Sequence, residues 1–231
     1  MTLLLLSNSR NPGGEYLAHA MDALAEFLGP RRTAWFVPFA AVTVDWDDYA
    51  RMVQNALTPL GVQVSSAHTG AMPDETGVLL VGGGNTFQLL RECRRRALLE
   101  PMGRLARGGV PYAGWSAGSN LACPTIRTTN DMPIVEPGSL DALGLVGFQI
   151  NPHYTNAMPP GHQGETREQR LMEFVTANPD VPVLGLPEGD WLSVRGDAVA
   201  LCGPKDAVWI RSGAPTGLLP PGTLPPSFTV A

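Results

Sequence analysis

Apolar residues in this chain fall in short runs separated by stretches in which they recur every three or four positions. The runs at 3–6 (LLLL) and 78–81 (VLLV) contain no alternating polar position, so each reads as a strand covered on both faces. Further strands are predicted at 34–37, 62–65, 110–113 and 183–186. Between them, Leu17, Met21, Leu24 and Leu28 line one face of a helix over roughly 14–28. A second helix is expected over about 45–58, opening at Asp45, Asp47 and Asp48, where acidic residues suit the positive end of a helix dipole. The spacing predicts a long helix over about 86–107, interrupted near Pro101, and another over roughly 165–177. The stretch 191–211 reads as two or three short antiparallel strands, and the proline-rich end, 214–231, as an extended or loosely ordered tail.

Strand–helix alternation through the first half predicts a parallel sheet with helices on both faces. No internal repeat or linker divides the chain, so residues 1–231 are expected to form one α/β domain. At 231 residues the chain is long enough for one well-buried core. Charged residues make up only 16%, below the roughly 25% of ordinary domains, while 26 glycines and 22 prolines mark a turn-rich fold of short elements.

A net charge of −5 argues against a nucleic-acid partner. The cluster Arg94, Arg95 and Arg96 reads as a solvated helix face. Cys93, Cys123 and Cys202 lack CxxC or His-adjacent spacing, so core filling is expected, with no disulfide framework and no metal site. The opening MTLLLLSNS has too short an apolar run and no basic lead for a membrane span or signal peptide. The expectation is a cytoplasmic protein without a membrane partner.

The strongest local chemistry is Gly114-Trp115-Ser116-Ala117-Gly118, a GxSxG preceded by an apolar strand and followed by a plausible helix start. Small residues on both sides let the chain fold back and lift Ser116 above the sheet edge as a nucleophile. The N–H of Ala117 would then face the oxygen of a tetrahedral intermediate. Gly82, Gly83, Gly84 and Asn85 end another predicted parallel strand on the same edge, and their backbone could supply the second oxyanion donor. A phosphate loop is disfavoured because no GK[ST] or full GxGxxG follows.

Of the four histidines, His19 falls in a helix and His68 follows a distant strand. His153, in Asn151-Pro152-His153-Tyr154 after an apolar run, is the preferred base, with His162 in a polar loop next. For the carboxylate that orients the base, Glu188 follows the run VLGL at a strand end, and Asp131 competes.

Taken together, VGGGNTFQLL (81–90), GWSAGSN (114–120), ACPTIRTTNDMPIV (122–135), QINPHYTNA (149–157), GHQGETREQR (161–170) and GLPEGDW (185–191) resemble the peptidase E family of α-aspartyl dipeptidases. Ser119 departs from it, where the family pattern has alanine. The resemblance implies a flavodoxin-like, class I glutamine-amidotransferase-like three-layer sandwich with a mostly parallel central sheet and a small C-terminal antiparallel portion. It implies Ser116 as nucleophile, His153 as general base, and Glu188 or Asp131 as the acid. Glu188 is preferred because Ser, His and Glu then follow successive strands, with Asp131 in support. Gly84 and Ala117 form the implied oxyanion hole. Arg167, which spacing alone would read as a surface arginine paired with Glu165 or Glu168, matches the family's aspartate-recognising position. Asn85 and Tyr154 are implied beside it in substrate binding, and 154–165 as a lid.

The activity so implied is acyl transfer from peptides that begin with aspartate, with no cofactor, a small peptide as partner, and room for a homodimer. A cyanophycinase-like or broader peptidase on the same fold is the alternative, and a non-enzymatic binding protein a further one. A glutamine amidotransferase is disfavoured by serine in place of cysteine.

Overall fold

The computed structural model describes residues 1–72, 76–161, 163–225 and 227–230. Its first half is built from β1 (Thr2–Leu6), β2 (Thr33–Val37), β3 (Gln63–Ser66), β4 (Val78–Val81) and β5 (Tyr112–Trp115). These strands pair in parallel in the order β3-β2-β4-β5-β1. The unbroken apolar runs are explained by cover on both faces. Leu3 and Leu5 join a core with Leu79, Leu89 and Met102, while Leu4 and Leu6 join another with Leu24, Tyr49 and Val53.

The helices divide accordingly. On one face lie α1 (Met21–Leu28) and α2 (Trp46–Leu57); on the other lie α3 (Thr86–Arg95), α4 (Leu99–Arg107) and α5 (Ala117–Ala122). Asp45 caps α2, its carboxylate accepting from Asp47 N–H at 2.8 Å. The chain leaves β2 toward β3 through α2 on one face, but leaves β4 toward β5 through α3 and α4 on the other. The loops after β2 and β4 therefore part above the sheet, and a crevice opens there.

The second half adds β6 (Gln149–Asn151), α6 (Arg167–Ala177), β7 (Val183–Gly185), β8 (Trp191–Arg195), β9 (Ala198–Cys202), β10 (Ala207–Ile210), β11 (Gly217–Leu219) and β12 (Gly222–Thr223). β8 lies antiparallel on β1 and extends the main sheet through β9 to β12. A four-stranded sheet, β11-β10-β7-β6, stands beside it, with β6 and β7 parallel. α6 packs Leu171 and Val175 on Val183, Val208 and Ile210 of this smaller sheet. Among the described residues no helix is long and apolar enough to cross a membrane.

Several expectations shift in detail. The helix expected over 86–107 breaks at Arg96, Ala97 and Leu98, where Ala97 has φ 53°. Pro101 sits inside the first turn of α4, where its missing N–H removes no helical bond. The helix expected from residue 14 begins as a 3-10 turn at Ala18–Ala20, because Leu17 takes a left-handed conformation. In the C-terminal segment 214–231, Gly217–Leu219 and Gly222–Thr223 pair with β10 and β9, so part of it is tied into the two sheets. Cys93 and Cys123 are buried and free, and burial pushes both thiols up to about 12.

The approach of α5 to the sheet allows no side chain at Gly118, since a Cβ there would collide with the Val81 carbonyl oxygen. Gly118→Ala should cost roughly 2 kcal/mol or more. Gly217→Ala, at an unobstructed position, should stay within about 1 kcal/mol. Urea unfolding of the two variants checks the contrast, and equal costs would contradict it.

Candidate active site

β5 ends at Trp115 and α5 begins at Ala117, leaving Ser116 as a one-residue elbow with φ 53° and ψ −110°. That conformation strains a non-glycine residue by about 1–3 kcal/mol. Here several contacts enforce it. Ser116 N–H donates to Leu6 O at 3.0 Å. A Cβ on Gly114 would lie 2.5 Å from the Gly118 carbonyl, so only glycine permits the back-fold. Ser119, the residue that departs from the family pattern, is fully buried, and its hydroxyl lies 2.7 Å from Leu6 O and 3.0 Å from Gly114 O as donor. It staples the elbow to β1 and β5.

Two of the other sequence-predicted residues meet Ser116 at strand ends. His153 follows β6 and places Nε2 2.9 Å from Ser116 Oγ. Glu188 follows β7 and places Oε1 2.6 Å from His153 Nδ1. His153 also has positive φ, 53°. Its backbone N–H donates to Ser7 Oγ at 2.8 Å, and Ser7 in turn donates to Leu186 O at 2.8 Å. Asn8 Oδ1 accepts from Gly189 N–H at 2.8 Å, just beyond Glu188. Ser7 and Asn8, at the end of β1, thus hold the loops that carry His153 and Glu188. Sequence reasoning missed both, since the SNS after LLLL carries no signal of contacts nearly 150 residues or more away.

A second set of amides braces the same region. Asn120 Nδ2 donates to Ile150 O at 2.7 Å, tying α5 to β6. Asn130 Nδ2 donates to Pro152 O at 2.7 Å, and Asn151 Nδ2 donates to Thr128 O and Asn130 Oδ1. Asp131 does not reach His153. Its Oδ2 accepts from Thr86 N–H at 2.7 Å, from the Thr86 hydroxyl at 2.6 Å and from the Thr129 hydroxyl at 3.0 Å. It anchors the 124–135 loop to the start of α3. Of the other histidines, His68 contacts Ser66 and Asp47, and His19 is half-buried with its pKa lowered by burial. His162 lies outside the described residues.

Ser116 and His153 line a cavity of about 720 Å³ with Gly83, Gly84, Asn85 and Asp131, walled on its apolar side by residues such as Val42, Val44 and Ile134. It occupies the crevice between the loops after β2 and β4. The N–H groups of Gly84 and Ala117 donate to no acceptor among the described residues. Asn85 caps α3, accepting from Gln88 N–H at 3.0 Å and donating to Met132 O at 2.9 Å, so its amide is committed to the loop.

Arg167 lies in a neighbouring cavity of about 270 Å³ with Arg127, Arg170, Asn130 and Asn151, and Asp131 lines both cavities. The expected surface pairs form elsewhere: Glu165 faces Arg170, and Glu168 contacts Asn156. Arg167 has no carboxylate ion-pair partner among the described residues. Burial, helped by the nearby Arg170, lowers its pKa. Thr166 and Gln169 form a capping box that sets Arg167 at the first position of α6. The Tyr154 ring packs on Gly185 in the core beneath α6 and lines neither cavity, so the expected substrate contact is replaced by a packing role.

Asp190, two residues past Glu188, is fully buried with Oδ2 unpartnered among the described residues. Burial pushes its carboxyl up to about 6, against a smaller lowering from the Lys205 N–H. The folded state therefore favours the neutral acid. The resulting stabilisation is complete below the ordinary value of 3.8 and is lost as pH rises through about 6. The urea midpoint should fall between pH 4 and 6.5, and Asp190→Asn should flatten that slope. An unchanged slope in the variant would exclude Asp190 as its source.

Comparison with known proteins places the chain in a family. The model of Peptidase family S51 matches residues 3–202. Curated proteins named Peptidase E from Salmonella arizonae and Escherichia coli O1:K1 are each 52% identical over 217 residues, covering 92% of this chain and 95% of theirs. In fold, the chain resembles a candidate peptidase E protein from Listeria monocytogenes EGD-e, with TM-score 0.65 and 23% identity over 88% of this chain and 98% of that one. It also resembles a peptidase from an acI-B1 actinobacterium, with TM-score 0.67 and 17% identity over 94% and 93%.

Proposed function

We propose that this chain, which belongs to peptidase family S51, hydrolyses dipeptides and short peptides whose first residue is aspartate. The observation that carries the reading is the unbroken contact chain from Glu188 through His153 to Ser116, set on three successive strand ends.

Ser116 Oγ attacks the aspartyl carbonyl while His153 Nε2 takes its proton. Glu188 holds the Nδ1 proton and stabilises the imidazolium. The developing oxyanion accepts from Ala117 and Gly84 N–H, which have no competing acceptor within the described protein. The leaving amine takes the proton from His153, and the acyl-enzyme forms. Water then attacks the ester by the reverse path and releases aspartate.

Aspartate preference is assigned to Arg167. A carboxylate is best matched by a guanidinium fork, and a half-buried arginine without an ion-pair partner is electrostatically incomplete. Asp131 lines both cavities, and in this reading a small substrate reaches from Ser116 toward Arg167 past Asn85, while Tyr154 supports α6 from the core. Free cysteines suit a reducing compartment, and action in the cytoplasm is part of the proposal.

The test is hydrolysis of Asp-Leu beside Asn-Leu, Glu-Leu and Ala-Leu. Asp-Leu alone should be cleaved, and Ser116→Ala should abolish turnover. Glu188→Gln should lower kcat by roughly 10²–10⁴, and more than Asp131→Asn does. Arg167→Ala should lower kcat/KM for Asp-Leu by at least about 100-fold. Equal cleavage of all four dipeptides would overturn the aspartate assignment, and activity in Ser116→Ala would overturn the nucleophile.

A further inference from the structure

Tyr49, on α2, has no part in the chemistry described so far, yet its hydroxyl sits at the centre of a polar cluster beneath the elbow. Gly83 O lies 3.0 Å away, Trp115 Nε1 3.0 Å and the Tyr16 hydroxyl 3.1 Å. Only one proton arrangement satisfies all three. An indole N–H can only donate, a carbonyl can only accept, and a phenol has a single proton. Tyr49 therefore accepts from Trp115, donates to Gly83 O, and receives the Tyr16 proton. Burial raises the pKa of both phenols, so each keeps the proton this scheme needs.

The partner of that donated proton gives the contact its meaning. The Gly83 carbonyl and the Gly84 N–H belong to one planar trans peptide and point in opposite directions. Holding the oxygen therefore aims the N–H. The segment has little preference of its own, because Gly82, Gly83 and Gly84 are free of side-chain restriction and Gly84 sits at φ 133°. Rotated by half a turn, the same peptide would present a carbonyl where the N–H had been. The packing leaves no slack around the correct orientation. A Cβ on Gly82 would lie 2.7 Å from the Tyr49 oxygen, and one on Gly83 would lie 3.1 Å from Ser116 Cβ. On the other side, Ala40 O accepts from Asn85 N–H at 2.8 Å.

We propose that Tyr49 is a positioning residue for the oxyanion hole: its hydroxyl pins the Gly83 carbonyl so that the Gly84 N–H stays turned toward the reacting carbonyl oxygen. This rests on the assignment of Gly84 as an oxyanion donor and extends it to the residue that orients it. Tyr16 and Trp115 act one step further back, by fixing the direction of the Tyr49 proton.

Tyr49→Phe keeps the ring and removes the hydroxyl. Because a misaimed donor approaches a missing one, kcat for Asp-Leu should fall by roughly 10², with KM within about twofold. Affinity for an aspartyl aldehyde, which forms a tetrahedral adduct on Ser116, should fall by a similar factor, while affinity for free aspartate should not change. The variant also strands Trp115 Nε1 and the Tyr16 hydroxyl, so its stability will drop. Val53→Ala, in the same helix and core but away from the site, supplies a matched loss of unfolding midpoint and should keep wild-type kcat. If Tyr49→Phe does not fold, the double variant Tyr16→Phe/Tyr49→Phe removes the stranded phenol and takes the same readouts. Unchanged kcat, or parallel loss of aldehyde and aspartate affinity, would overturn the proposal. Failure of the serine-peptidase reading itself would look different, as absent wild-type turnover or retained activity in Ser116→Ala.

Discussion

The closeness of α5 to the ends of β4 and β5 governs the geometry of the site. Gly114 and Gly118 face each other across the elbow with no space for a Cβ on either, and Gly118 rests on the Val81 carbonyl. That contact forces the chain to reverse within one residue, which puts Ser116 at φ 53° with its hydroxyl above the sheet. The same contact brings the glycine segment after β4 against Ser116, since β4 and β5 are paired neighbours in register at Val81 and Gly114. Strain of about 1–3 kcal/mol at such a residue persists only where the surroundings over-determine it. The bonds from Ser116 N–H and Ser119 Oγ to Leu6 O provide that determination.

Ser116 belongs to the main sheet, whereas His153 and Glu188 belong to the smaller one. The Ser116–His153–Glu188 geometry thus depends on the seam between two sheets, and the seam is polar. Ser7 and Asn8 reach from β1 to the backbone at His153, Leu186 and Gly189, and Asn120 reaches from α5 to β6. Each of these side chains is nearly or fully buried. A buried hydrogen bond has direction as well as energy, so a seam made of them fixes angle and register where apolar packing alone would tolerate sliding.

The main sheet was legible from sequence because runs such as LLLL and VLLV have one physical explanation, cover on both faces. The GxSxG was legible because glycine and a following helix start have local meaning. Glu188 and His153 could be named as candidates because both follow apolar runs. What sequence could not supply was partner identity across distance. Asp131 and Glu188 look alike as loop carboxylates, and only tertiary geometry gives Thr86 to one and His153 to the other. The break after α3 was misassigned to Pro101 because proline is the visible helix breaker, whereas Ala97 takes the positive φ under tertiary constraint. The pairing of 217–219 and 222–223 was hidden by prolines that suggested a loose tail.

The two halves of the site differ in how completely their charges are answered. Glu188 has His153, and Asp131 has two hydroxyls and an N–H. These groups are held in one arrangement before any substrate arrives, as electrostatic preorganisation requires. Arg167, by contrast, lies half-buried near Arg170, with its charge disfavoured and no ion-pair partner among the described residues. Arginine cannot relieve this by deprotonating, and on the proposed function a substrate carboxylate would answer it. A substrate so bound would gain binding free energy at a point remote from the scissile bond. Spent on positioning, that energy speeds the chemistry and does more than tighten the complex. On the proposed function, a rigid reacting centre beside an unanswered cation would let selectivity lie in one charge.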